Sequence, residues 1–153
     1  MNRVLLVIAA AVTTLAPVTR AGAQAGQKPT TIVGVTPGQV RWFTPPYYTD
    51  GRRRAHLFGD SDGDGAWIDR VSIPGGRRVL AHTHPRDELV TVIQGTWYLG
   101  AGERFDPAKL KGYPAGSFIV IPAGVPHYVA TRRGPVIVQL SGTGRFGTDY
   151  LEK

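Results

Sequence analysis

The sequence predicts an all-β domain, a barrel or sandwich, on three observations. Short runs of β-branched and aromatic residues recur along the chain, turn-forming residues separate nearly all of them, and one short stretch alone looks helical. In order, the strand-like runs begin with Thr31–Val35, Val40–Phe43 and Ala55–Phe58. Asp60-Ser61-Asp62-Gly63-Asp64-Gly65 then places carboxylates like the first half of a calcium loop. The position that should hold a bidentate glutamate is Val71, so a hairpin turn is the better reading. Ala66–Ile73 runs into Pro74-Gly75-Gly76, and Arg77–Thr83 ends before Pro85, which cannot donate to a ladder and suits a strand end. Glu88–Gln94 reads as a largely buried strand closed by Gly95, where the chain reverses into Thr96–Gly100. Asp106-Pro107-Ala108-Lys109-Leu110 is the helical turn, with Asp106 as N-cap and proline at the first helical position. Ser117–Ile121, His127–Thr131 and Val136–Ser141 complete the series, separated by proline-glycine turns.

The ends and the composition bound the rest. Met1-Asn2-Arg3 gives a positive start, Val4 through Val12 an apolar run, and Ala21-Gly22-Ala23 an A-x-A cleavage signal. Residues 1–23 are therefore expected to be a cleaved signal peptide, with a cut after Ala25 as second option and an uncleaved anchor as the alternative. No twin arginine precedes the apolar run, so general secretion to the periplasm or outside the cell is expected, with no stable membrane anchor after cleavage. Residues 24–40 form an N-terminal extension and first strand, and residues 41–153 the barrel. About 130 mature residues suit one domain. There is no cysteine, so stability rests on packing and on any bound ion. Eighteen Lys and Arg oppose eleven Asp and Glu, and loss of Arg3 and Arg20 with the leader leaves a net charge of about +5. Export argues against nucleic acid. The clusters Arg52-Arg53-Arg54, Arg77-Arg78 and Arg132-Arg133 read as solvated surface, or as steering for an anionic substrate. Arg78 shares side-chain parity with His82 and His84, which offers it the barrel interior if the strand is unbroken.

Three of the four histidines fall in two phrases, Gly76-(x)5-His82-x-His84-(x)3-Glu88-(x)6-Gly95 and Gly116-(x)5-Pro122-x-Gly124-(x)2-His127. Residues i and i+2 of a strand face one side, so His82 and His84 converge. A tight turn then brings Glu88 beside them, and His127 follows a proline-glycine loop onto another strand. Three imidazoles and a carboxylate suit one divalent Fe, Mn, Ni, Cu or Zn ion and leave positions open. Each residue alone has a mundane explanation as a half-exposed strand residue; four in register do not. His56 has no such company and reads as structural or exposed. By alternation with the ligands, Leu80, Val90, Val92 and Val129 are expected to wall the pocket, joined by Trp97 or Tyr98.

These phrases resemble the paired signature motifs of the cupin superfamily in both glycine and ligand positions, over roughly Arg70 to Leu140. The one departure is Thr131, where the family commonly has Asn. The resemblance implies a single cupin jelly-roll β-barrel with one short helical turn between the motifs, a metal-centred pocket and a homodimer. It also implies a range of activities among which the fold does not choose. The leading expectation is a small-molecule metalloenzyme of dioxygenase type acting on an oxygen-rich, anionic ligand, with His82, His84, Glu88 and His127 as metal ligands and Glu88 also available as acid or base. The alternatives are a non-catalytic ligand-binding or sensing barrel and a non-oxidative isomerase or lyase.

Overall fold

The structure, a computed structural model, describes residues 29–152. The expected leader lies outside the described residues, as does the start of the expected N-terminal extension. Ten strands are present among them: β1 (Arg53–Phe58), β2 (Ala66–Ile73), β3 (Arg78–Thr83), β4 (Glu88–Gln94), β5 (Thr96–Ala101), β6 (Lys111–Pro114), β7 (Phe118–Ile121), β8 (His127–Ala130), β9 (Val136–Thr143) and β10 (Asp149–Tyr150). They form two antiparallel five-stranded sheets, ordered β1-β2-β9-β4-β7 and β10-β3-β8-β5-β6. Among the described residues, helix is confined to two three-residue 3-10 turns, Pro37–Gln39 and Pro107–Lys109. In the second, Asp106 caps as expected, its carboxylate accepting from the Ala108 N–H at 2.9 Å. No helix among the described residues is long and apolar enough to cross a membrane.

The core lies between the sheets because each strand turns alternate residues inward. Along β9 Val136, Val138 and Leu140 are buried, and along β2 Trp67, Val71 and Ile73 are buried with Asp69 among them. Gly95 turns the chain from β4 in one sheet to β5 in the other at φ +78°, and a Cβ there would lie 2.7 Å from the Pro135 carbonyl oxygen. Only glycine meets both conditions. Asp60 accepts from the Gly63 N–H at 3.1 Å through its main-chain oxygen, so the calcium-like sequence is a turn.

Several sequence expectations need correction. Residues 31–35 form no strand, and of residues 40–43 only Phe43 bridges to Arg54. Two strands were not expected, Lys111–Pro114 and Asp149–Tyr150. Neither has strand composition; β5 and β3 hold them by pairing.

The correction that matters most is inside β3. Val79 pairs with Val129 but His82 pairs with His127, so β3 carries one residue more than β8 between those points. This bulge reverses parity midway along the strand. Val79, Ala81 and His82 are buried while Arg78 is exposed and Leu80 only half-buried. Arg78 therefore faces away from the barrel, its guanidinium over the Phe105 ring at 5.2 Å. The peptide groups of Ala81, taken out of the ladder, are satisfied by the C-terminus. Ala81 N–H donates to the Glu152 carboxylate at 3.1 Å, and Leu151 N–H donates to the Ala81 carbonyl at 2.8 Å.

Candidate metal centre

Each candidate ligand sits where a strand starts or ends. His82 is near the end of β3, with His84 just beyond it; Glu88 opens β4 and His127 opens β8. Residues 85–87 make the turn that separates His84 from Glu88, and residues 122–126 deliver His127. All four side chains are buried, with 2–5% exposure. The imidazole nitrogens of His82, His84 and His127 lie within 4.8 Å of one another. Glu88 Oε2 is 3.5 Å from His84 Nε2 and 3.7 Å from His127 Nε2, and it stands outside that mutual group of three.

The orientation of each ring is fixed from behind. His82 Nδ1 is 2.6 Å from the Leu80 carbonyl, His84 Nδ1 2.6 Å from the Gly147 carbonyl, and His127 Nδ1 3.0 Å from the Val125 carbonyl. A carbonyl only accepts, so each Nδ1 carries its proton and donates. In the neutral rings Nε2 is then a bare lone pair, the tautomer a metal ligand requires. His127 Nε2 is buried with no hydrogen-bond partner among the described residues. His84 Nε2 faces the Glu88 carboxylate, two acceptors whose approach is favourable only through a shared cation, a proton or a metal ion. The residues therefore fit a divalent ion.

Protonation follows the same geometry. Burial, with His127 next to it, holds His82 down at about 4. Burial also lowers His127. Burial pulls His84 down too, but the Glu88 carboxylate outweighs it and the net direction is up. The lowered rings of His82 and His127 favour the neutral lone-pair donor, and Glu88 pulls His84 the other way.

The cluster opens on a cavity of about 470 Å³, within the range of small-molecule sites. Its apolar wall comes from both sheets: Val71, Ile73, Val79, Trp97, Val129, Val138 and Leu140. Of the expected wall residues Val129 and Trp97 line the cavity. Leu80 does not, because the bulge turns Val79 inward in its place, and Val90 and Val92 pack in the core. Sequence reasoning missed a further part of the wall, to which Tyr47, Tyr48, Arg52, Arg54, Phe146 and Tyr150 contribute. Nothing in their local sequence marks them except the strand parity that places Arg52 and Arg54 on one side. His56 is exposed and partners Asp69 at 2.8 Å, which agrees with a structural role. Thr131 is buried and ties two loops, accepting from the Arg77 N–H at 2.9 Å and donating to the Pro74 carbonyl at 2.6 Å.

No curated sequence is significantly similar to this chain. Among solved structures, the polyketide cyclase RemF from Streptomyces resistomycificus aligns with a TM-score of 0.65 at 16% identity, over 80% of this chain and 87% of that one. A cupin-superfamily sugar phosphate isomerase from Silicibacter pomeroyi gives 0.56 at 19%, over 72% and 75%. The DMSP lyase DddQ from Ruegeria pomeroyi gives 0.55 at 18%, over 70% of this chain and 57% of the lyase. Such identities carry the fold and not the activity. The profile of the Cupin domain matches residues 69–141, which contain all four candidate ligands. By that match residues 69–141 form a Cupin domain, and the two-sheet barrel that contains them has the cupin fold.

Proposed function

We propose that this protein is a metal-dependent enzyme of dioxygenase type, exported from the cytoplasm, that acts on a small oxygen-rich molecule. The observation that carries the reading is the convergence of three carbonyl-anchored imidazoles beside a buried carboxylate, at the edge of a cavity large enough for a substrate. His82, His84, His127 and Glu88 would hold one divalent ion. Such an ion supplies Lewis acidity and positions for exogenous oxygen ligands. The chain's own contribution is to fix the rings, exclude water with the apolar wall, and orient the substrate. The N-terminal A-x-A segment supports export. Homodimerisation and the absence of a nucleic-acid partner belong to the same proposal.

One observation favours a second reading. Glu88 is buried with the Nε2 atoms of His84 and His127 at 3.5 and 3.7 Å, so a proton it takes from substrate would stand beside two nitrogen acceptors. A non-oxidative isomerase or lyase would use it that way.

Oxygen uptake with protein loaded separately with Fe, Mn, Ni, Cu and Zn, on a panel of diols, diketones and hydroxyacids, tests the first reading. Turnover that persists without oxygen selects the second. Absence of turnover under every condition, with tight ligand binding retained, would leave a binding barrel. Native protein should carry close to one transition metal per chain, and His82→Ala and His127→Ala should each lose it; full metal retention by both variants overturns the centre.

A further inference from the structure

The metal reading leaves one part of the cavity unused. Strand parity divides the Arg52-Arg53-Arg54 cluster. Arg53 is exposed, 5.6 Å from the Trp42 ring centre, whereas Arg52 and Arg54 line the cavity with side-chain exposures of 13% and 9%. Arg54 is committed. Its Nε donates to Asp69 at 2.7 Å, its Nη2 to Ser61 at 3.0 Å, and its Nη1 stands 3.4 Å from the Tyr47 oxygen.

Arg52 is only partly committed. Its Nε donates to Asp50 at 3.0 Å and its Nη2 makes a long 3.4 Å contact to the Tyr150 phenol oxygen. The guanidinium is supported by the Tyr48 ring at 4.3 Å. Among the described residues its Nη1 has no acceptor. Tyr150 accepts from Arg52, so its own hydroxyl hydrogen is free to donate. The Tyr150 ring lies 5.6 Å from the His82 ring, and this one side chain thus joins the arginine to the histidine cluster. A permanently charged guanidinium edge beside a phenol hydroxyl matches the planar, acceptor-only geometry of a carboxylate.

We propose that the cavity selects ligands bearing a carboxylate, held by the outer edge of Arg52 and the Tyr150 hydroxyl while the ligand's remaining oxygens face His82, His84, Glu88 and His127. This rests on the metal-centre reading and narrows it: the ligand class is a small hydroxy- or keto-substituted carboxylic acid with an apolar body. Arg52 and Tyr150 are specificity residues at one end, and the imidazoles serve the other.

Calorimetric titration of zinc-loaded protein with the matched pair 3,4-dihydroxybenzoate and catechol tests this, since the two differ by the carboxylate alone. The carboxylate should tighten binding about tenfold or more, the scale of one charge-assisted hydrogen-bonded pair. In Arg52→Gln that ratio should fall to within about twofold. Arg52→Lys keeps the charge without the planar edge, and the ratio should drop there too, which keeps the test readable if the glutamine variant does not fold. Equal affinities in the unsubstituted protein, or an unchanged ratio in both variants, overturns the proposal. A second arm separates it from the metal reading: metal-free protein is titrated with benzoate and benzyl alcohol. An Arg52-dependent preference for benzoate in a protein that takes up no zinc keeps the carboxylate subsite and removes the metal centre. No preference in either arm removes the subsite.

Discussion

At the scale of single residues, the interior holds two charged arrangements with opposite requirements. His82 is kept neutral by burial, at about 4 against the ordinary histidine value of 6.5. Between those values the unfolded metal-free chain binds a proton that the folded one does not, so stability present above pH 6.5 is lost as the pH falls toward 4. The full shift corresponds to about 3 kcal/mol. His84 is raised instead, so its contribution is present below 6.5 and lost as the pH rises through its folded value; it offsets part of the acid-side loss. Urea unfolding of metal-free protein should show lower stability at pH 4.5 than at 6.5, and His82→Phe should flatten that difference. A slope unaffected by the substitution would show that other groups dominate. Arg54 and Asp69 present the second case. Asp69 is fully buried and is held by Arg54 at 2.7 Å and by His56 at 2.8 Å. Arg54→Met leaves that carboxylate without its guanidinium and should cost about 3–5 kcal/mol. Adding Asp69→Leu should recover most of the loss, because the uncompensated charge leaves with it. Chemical denaturation of the two variants gives both numbers, and a double variant no better than the single one would refute the account.

The element that aims the site is the bulged strand β3. Without the extra residue between Val79 and His82, the parity that buries Val79 would turn His82 outward. The bulge takes Ala81 out of register with β8, and Glu152 and Leu151 satisfy its N–H and carbonyl. Glu152 also accepts from the Phe105 N–H at 2.9 Å, so one carboxylate fastens the bulge and the connection after β5. Glu152→Ala should destabilise the fold by about 1–3 kcal/mol. It should also weaken metal binding at His82 although it lies outside the cavity. Competition with a chelator for zinc measures the second effect; loss of stability with unchanged zinc affinity would show that the bulge holds without its C-terminal tie. The ring of His84 depends on the same end of the chain, through the Gly147 carbonyl at 2.6 Å.

For the molecule as a whole, the centre joins strands of both sheets, since Glu88 comes from the sheet that contains β4 while His82 and His127 come from the other. An ion held there would tie the sheets together in the folded state alone. Metal at a thousand times its dissociation constant should add about 4 kcal/mol of stability, and chelation should lower the unfolding temperature by roughly 10 °C. Equal unfolding temperatures with and without metal would contradict a bridging site. The convergence of His82, His84 and His127, with Glu88 beside them, was legible in the sequence because each motif is local. His-x-His needs only strand parity, and the glycines and prolines that punctuate the motifs fix where the strands begin, as β2 and β4 bear out in both of their ends. The helical turn at Pro107–Lys109 was legible for the same reason, with its cap two residues from the group it satisfies. The bulge was not. Arg78 and Leu80 were placed by an unbroken period of two, and nothing within β3 records that Ala81 pairs with the end of the chain instead of with β8. The wall formed by Arg52, Tyr48 and Tyr150 was hidden likewise, as were β6 and β10, whose residues become strands only beside β5 and β3. Periodicity and turn chemistry act over a few neighbours and so determined which residues can bind; pairing between segments tens of residues apart depends on partners the local pattern does not name, and that alone decided what the cavity presents to a ligand.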